Sequence, residues 1–207
     1  MPTLIPLPIP DSQPLTPRRM HVLLLGPPGA GKGTQGAILA ERMGLPKFAT
    51  GDLLRDAVKR GTPVGREARA IMEAGHLVGD DVILRVVRDE LAKASAANGV
   101  IFDGVVRTIP QAEGVEGLLG ERGRRMDAVL FFDVPDEEIL ARLERRRGLD
   151  GRADDDPDAV AVRLKAYRDQ TAPVLDWYEQ RGGVIRIPAV GSVEEIAGRV
   201  EEALAAR

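Results

Sequence analysis

A lysine set among glycines, in Gly26-Pro27-Pro28-Gly29-Ala30-Gly31-Lys32-Gly33-Thr34, is the part of this 207-residue chain best suited to chemistry on phosphate. Glycines lack Cβ, so successive backbone N–H groups can converge on phosphate oxygens, and a helix that starts there adds the positive end of its dipole. Lys32 contributes a compact charge on a flexible stem that can follow a phosphoryl group as it moves. Phosphoryl transfer asks for positioning, charge neutralisation and exclusion of water rather than covalent chemistry, so further cations should converge from other segments. Arg107, Arg146, Arg152 and Arg163 are the candidates, clustered around glycine-containing turns. Asp103 follows the apolar run Val100-Ile101-Phe102 and is placed to reach Mg²⁺, directly or through water, because a small hard cation keeps several waters beside nucleotide phosphates. The competing role for Asp103 is a helix N-cap, although Thr108-Ile109-Pro110-Gln111 is the better-placed capping sequence.

These groups need a scaffold that brings distant segments together. From Met20 onward short apolar runs alternate with helical periodicity, which predicts a parallel sheet flanked by helices, with strands over 21–25, 47–49, 100–102, 128–132 and 184–187. The glycine loop then lies between a strand and a helix, the context a phosphate loop requires. Residues 50–79 hold two helical patterns around Gly61-Thr62-Pro63 and read as a small helical insertion. Residues 147–156 are charged and glycine-containing, with almost no apolar anchors, and read as a mobile loop over something. Asp156-Pro157 looks like an N-cap and first helical position, and Ser192-Val193-Glu194-Glu195 is a capping box for the last helix. Residues 1–19 carry six of the 15 prolines and read as a flexible, polyproline-like tail, leaving 20–207 as a single domain; a secretory signal is the rival reading.

Composition narrows the partners. A net charge of -3 leaves no basic excess for nucleic acid, so any anion site must be local. Of the 29 basic residues 24 are Arg, a bias that suits bidentate phosphate contacts. The absence of Cys excludes disulfides, a thiol nucleophile and a cysteine zinc site, and is compatible with a reducing cytoplasm. No run approaches the ~20 apolar residues of a membrane span.

Over 20–207 the chain resembles the adenylate kinases of the short-lid type, within the nucleoside monophosphate kinases. The loop matches theirs through Gln35, including Gly33 after the lysine, with the hydroxyl one residue later at Thr34. The resemblance implies a P-loop nucleoside triphosphate hydrolase-like α/β fold with a five-stranded parallel sheet, an AMP-binding insertion over 50–79 and a lid over 147–156. It implies reversible transfer of the terminal phosphoryl group from Mg·ATP to AMP, giving two ADP, with Mg²⁺ and no zinc, in a cytoplasmic monomer without nucleic-acid or membrane partners. ATP is then expected at Gly29, Ala30, Gly31, Lys32, Gly33, Thr34, Arg142, Arg146 and Gly191, with Arg142 stacking on its base. Thr50-Gly51-Asp52-Leu53-Leu54-Arg55 is similar to an AMP-site segment, with Thr50 toward adenine and Arg55 toward the phosphate. His76, Leu77 and Val78 correspond to a stretch lining the nucleoside by its backbone. Asp103-Gly104 with Arg107 and Gln111 matches a further signature, in which Gly104 borders AMP, Arg107 clamps phosphate and Gln111 reads adenine. Arg146, Arg152 and Arg163 join Lys32 and Arg107 as the expected catalytic cations, Arg152 and Arg163 also on the AMP side.

Val105-Val106 stands where the family usually has an aromatic residue and a proline, and Gly79 where proline is usual, so the turn before Arg107 and the wall near AMP depart from the pattern. The alternative within this class is a UMP/CMP kinase, against which Thr50 and Gln111 speak. A slow nucleotide-dependent switch is a rival of another class; a guanine-specific one needs an Asn-Lys-x-Asp element, and the only asparagine, Asn98, is followed by Gly99.

Overall fold

The computed structural model describes residues 19–150 and 156–206. β1 (Met20–Leu25) is buried on both faces, as a near-continuous apolar run requires. It pairs in parallel with β3 (Gly99–Asp103) on one side and β4 (Ala128–Asp133) on the other. β2 (Lys47–Ala49) and β5 (Val184–Pro188) complete a five-stranded parallel sheet in the order β2-β3-β1-β4-β5. Each strand lies within one residue of the expected span at either end.

Alternation along the strands builds two cores. Leu23, Leu25 and Phe102 face one layer, with Val82 and Val87 of α4 (Asp80–Leu91), Val115 and Leu119 of α5 (Ile109–Gly120) and Val174. Val22, Leu24, Ile101 and Phe132 face the other, with Leu39 of α1 (Lys32–Met43), Ile139 and Leu143 of α6 (Asp136–Asp150) and Val200 of α9 (Val193–Ala205). At least one helix from each end of the chain therefore covers the same face, and Arg42 of α1 pairs with Glu201 of α9 at their rim.

The sheet order reverses at β1, where the chain first moves toward β3 and β2 and later toward β4 and β5. In such sheets the crevice at the carboxyl ends of the strands is the natural ligand site. The glycine loop occupies this place, and Gly31 caps α1 with φ 90°, a left-handed backbone that a side chain would strain.

The expected insertion contains α2 (Thr50–Lys59) and α3 (Pro63–Glu73), the latter capped by Thr62, whose hydroxyl accepts from Gly65 N at 3.1 Å. The hairpin closes tightly because Gly65 has no Cβ; one built there would stand 2.1 Å from Ala57 O. α7 (Pro157–Ala166) begins at Asp156, which accepts from Asp158 N, and the capping box at Ser192 and Glu195 opens α9, both as the sequence predicts. Residues 147–150 differ from the loop expectation, because α6 continues through Asp150. The run Arg145-Arg146-Arg147 is a good helix former and sits favourably near the negative end of the helix dipole. Residues 151–155, including Arg152, and the tail over 1–18 lie outside the described residues.

Candidate active site

Three adjoining cavities open at the carboxyl ends of β1 and β3. The largest, about 490 Å³, is lined by the glycine loop from Pro28 to Thr34 together with Lys47, Arg55, Asp103, Arg142 and Arg146. A second, about 120 Å³, lies between the insertion and the sheet and includes Thr50, His76, Leu77, Val78 and Gln111. The third, about 80 Å³, joins them beside Lys32. Arg107, Arg163 and Gly104 line all three, so these residues stand at the boundary between the phosphate loop and the pocket under the insertion.

Lys32 bends back over its own loop, donating from Nζ to the carbonyls of Gly26 at 2.7 Å and Pro27 at 2.8 Å. Burial lowers its pKa from the ordinary 10.5 to about 8; nearby Asp103 opposes that shift, and the charges of Arg107, Arg163 and Arg146 add to it. A cation crowded by three other cations marks a place prepared for several negative charges. Asp103, at the end of β3, is the carboxylate that partly balances them, and Lys47 Nζ lies 3.7 Å from its Oδ2. Thr108 rather than Asp103 caps α5, accepting from Gln111 N at 3.3 Å, which leaves the strand-end carboxylate facing the phosphate cavity.

The turn carrying Arg107 is held without a proline. Val105 and Val106 are both buried, anchoring it in the core beside the pocket. Arg107 N donates to Gln111 Oε1 at 2.8 Å, Gln111 Nε2 donates to Asp80 Oδ1 at 2.8 Å, and Thr108 Oγ1 donates to the same oxygen at 3.0 Å. Gly104 O accepts from both Thr50 Oγ1 at 2.8 Å and Arg107 Nε at 3.0 Å. Thr50 and Gln111, expected as base contacts, are parts of one polar network beneath the pocket. Asp80 escaped the sequence reading because nothing in its neighbourhood marks a partner 31 residues away.

On the other side of the phosphate loop, Arg142 Nε donates to Glu138 Oε1 at 2.7 Å, one helical turn back, and its Nη2 donates to Ala189 O at 2.8 Å. This guanidinium joins α6 to the segment after β5 and borders Gly31, from which a built Cβ would be 3.8 Å away. Gly191, two residues beyond Ala189, is brought toward the same rim but is not among the residues lining the three cavities. Arg55 pairs with Asp52 at 2.6 Å and reaches both the phosphate cavity and the pocket under the insertion. Lys47 and Tyr167 also line the site and were not anticipated; Lys47 is one of only five lysines in the chain, which is the signal that could have found it.

The arrangement is a phosphate loop, a set of arginines and an adjoining pocket under the insertion, and comparison with known proteins decides which such arrangement it is. A family model described as adenylate kinase matches residues 24–183. The chain belongs to the adenylate kinase family. An adenylate kinase of Gemmatimonas aurantiaca is 47% identical over 211 residues, covering 89% of this chain and 99% of the relative. One from Thermus thermophilus is 48% identical over 183 residues, covering 88% and 96%, and one from Stenotrophomonas maltophilia is 44% identical over 185, covering 89% and 99%. The chain is accordingly a phosphotransferase of the nucleoside monophosphate kinase class with adenylate kinase function, and nothing in these comparisons favours the pyrimidine-specific alternative. Among the described residues no helix is long and apolar enough to cross a membrane.

Proposed function

We propose that the two larger cavities are the donor and acceptor sites for transfer of the terminal phosphoryl group of Mg·ATP to AMP. The observation that carries this assignment is that Arg107 and Arg163 line both cavities and the small one that joins them. A phosphoryl group passing from one side to the other then stays within reach of the same guanidinium groups, beside Lys32. Such fixed positive charge stabilises a loose transition state whose charge is spread over its equatorial oxygens.

In this reading Gly29, Ala30, Gly31, Lys32, Gly33 and Thr34 bind the donor phosphates, while Arg142 and Gly191 border its base. Thr50, Arg55, His76, Leu77, Val78, Gly104 and Gln111 hold AMP. Arg146 and Arg152 complete the cation set, Arg152 on the strength of the resemblance alone. No side chain acts as a nucleophile. A phosphate oxygen of AMP attacks the γ-phosphorus of ATP in line, the bond from that phosphorus to the β,γ-bridging oxygen breaks and ADP departs, while the protein orients the two nucleotides and excludes water between them.

Magnesium fits this site as a guest of the nucleotide. Among the described residues no cluster of three His, Cys, Asp or Glu could hold a metal by itself; of the two carboxylates lining the phosphate cavity, Asp52 pairs with Arg55, and Asp103 stands at the end of β3 beside the glycine loop. Mg²⁺ keeps several waters and takes one or two protein groups beside substrate phosphates, so Asp103, through water, and Thr34 would hold it. When bound, it neutralises charge on the transferring phosphates.

The monomer follows from the family resemblance alone, and a cysteine-free sequence suits a reducing cytoplasm. A coupled assay with ATP alone, ATP plus AMP and ATP plus UMP tests the function. ADP formation only with AMP is the expected result; equal use of UMP removes the adenylate assignment, and acceptor-independent ADP formation removes the kinase reading.

A further inference from the structure

α7 does not simply end at Ala166. Its axis runs on through a π turn, Tyr167–Thr171, into α8 (Ala172–Glu179), and Ala172 N donates to Tyr167 O five residues back. Such wide turns leave the local ladder imperfect and recur where a helix must aim a side chain at a site. A helical threonine ordinarily returns its hydroxyl to a carbonyl three or four residues earlier on its own helix. Thr171 does something else: its Oγ1 donates to Arg107 O at 2.9 Å, across 64 positions of sequence. The other face of the same residue is held by Gln111 Oε1, which accepts from Arg107 N at 2.8 Å, and the side chain is held by Gly104 O. Both Thr171 and Arg107 line the small cavity beside Lys32.

We propose that Thr171 is a positioning residue for phosphoryl transfer: its hydroxyl fixes the Arg107 backbone from the side opposite Gln111 and ties it to the helical rod that carries Arg163. The inference rests on the reading of Arg107 as a phosphate clamp. Arg163 lies eight residues before Thr171 on that rod, so a single hydroxyl sets the spacing between the two arginines that border all three cavities. Misplacement of a guanidinium by a fraction of an ångström weakens its contact with the transferring group more than with a bound nucleotide, so the loss belongs to turnover.

The test compares Thr171→Val, which keeps the shape and removes the donor, with Thr171→Ser, which keeps the donor, each alone and with Arg107→Lys. Thr171→Val should lower kcat about tenfold, the worth of one lost hydrogen bond, with KM for ATP within about twofold of the parent. Thr171→Ser should recover most of the loss. In the Arg107→Lys background Thr171→Val should add less than about twofold, because the group it positions is gone. Unchanged kcat in Thr171→Val, equal impairment in Thr171→Ser, or full multiplication of the two effects overturns the proposal. A melting temperature that falls while kcat holds makes Thr171 structural only and likewise overturns it; should Thr171→Val not fold, Thr171→Ala is read against the same criteria. If Arg107→Lys alone turns over like the parent, the clamp reading fails and takes this inference with it, whereas a crippled Arg107→Lys beside a fully active Thr171→Val leaves the clamp standing.

Discussion

The Lys32 ammonium is bonded to the carbonyl of Gly26, six residues back on its own loop, at 2.7 Å. A phosphate oxygen in the loop competes with that carbonyl for the ammonium protons, and it is the stronger acceptor because it is charged. Lys32→Ala should therefore reduce kcat by a factor on the order of 10² or more, with a smaller change in the affinity for ATP, as expected when a charge serves the transition state. Single-turnover kinetics on a variant of unchanged circular dichroism checks this; near-normal rates would remove the phosphate-loop assignment.

The depressed pKa of Lys32 makes a second, independent expectation. Bound phosphates favour the charged lysine, so at about pH 9, above its pKa in the protein, binding of Mg·ATP should take up as much as one proton per site. At about pH 7 the lysine is already charged and the uptake should vanish. Calorimetry in two buffers of different ionisation enthalpy measures it, and Lys32→Met should abolish it. The same shift bears on stability. The folded pKa of about 8 lies below the ordinary 10.5, so between these values the unfolded chain binds more protons and stability contributed by this group rises with pH. Below pH 8 the cost of the buried charge is fully present, and Lys32→Met should flatten this part of the urea-unfolding profile.

Gln111 is 1% exposed, and both ends of its amide are engaged, with Arg107 N and with Asp80. Its removal should then do two things: lower the preference for AMP over UMP and CMP, which we expect to be at least about tenfold in kcat/KM, and destabilise the fold by about 1–3 kcal/mol through unpaired buried groups. Steady-state kinetics with each acceptor at saturating Mg·ATP, alongside thermal unfolding, separates the effects. A Gln111→Ala enzyme that loses stability but keeps its acceptor preference would make this glutamine a strut alone.

Gly79 precedes α4 with φ -54° and ψ 144°, angles that proline adopts without strain. Gly79→Pro should stabilise the protein by about 0.4–1 kcal/mol by restricting the unfolded chain. A rise in Tm at unchanged kcat is the expected outcome; a fall would show that the loop before α4 needs the freedom glycine allows.

Arg142 bridges Glu138 and Ala189 at the edge of the phosphate cavity. If it stacks on the donor base, Arg142→Ala should raise KM for ATP about tenfold and leave KM for AMP near the parent value, since cation–π contacts contribute about 0.5–2 kcal/mol. A change confined to AMP would reverse the assignment of the two sites.

Local physics determined much of this in the sequence. The glycines around Lys32 can be read because backbone approach to phosphate and positive φ, seen at Gly31, are demands that few residue types meet. The strands can be read because a sheet buried on both faces needs continuous apolar runs, and the caps at Thr108, Asp156 and Ser192 because a side chain satisfies N–H groups only two or three residues away. What the tertiary structure alone decided are the partners across long separations. Asp80 beneath Gln111, Lys47 beside Asp103, Ala189 at Arg142 and Thr171 behind Arg107 leave no periodic trace, because each is one polar contact made by elements that meet only after the sheet has formed. The depressed pKa of Lys32 belongs with them: it arises from burial and from three arginines, Arg107, Arg146 and Arg163, carried to one place by the parallel order of the strands and the helices between them.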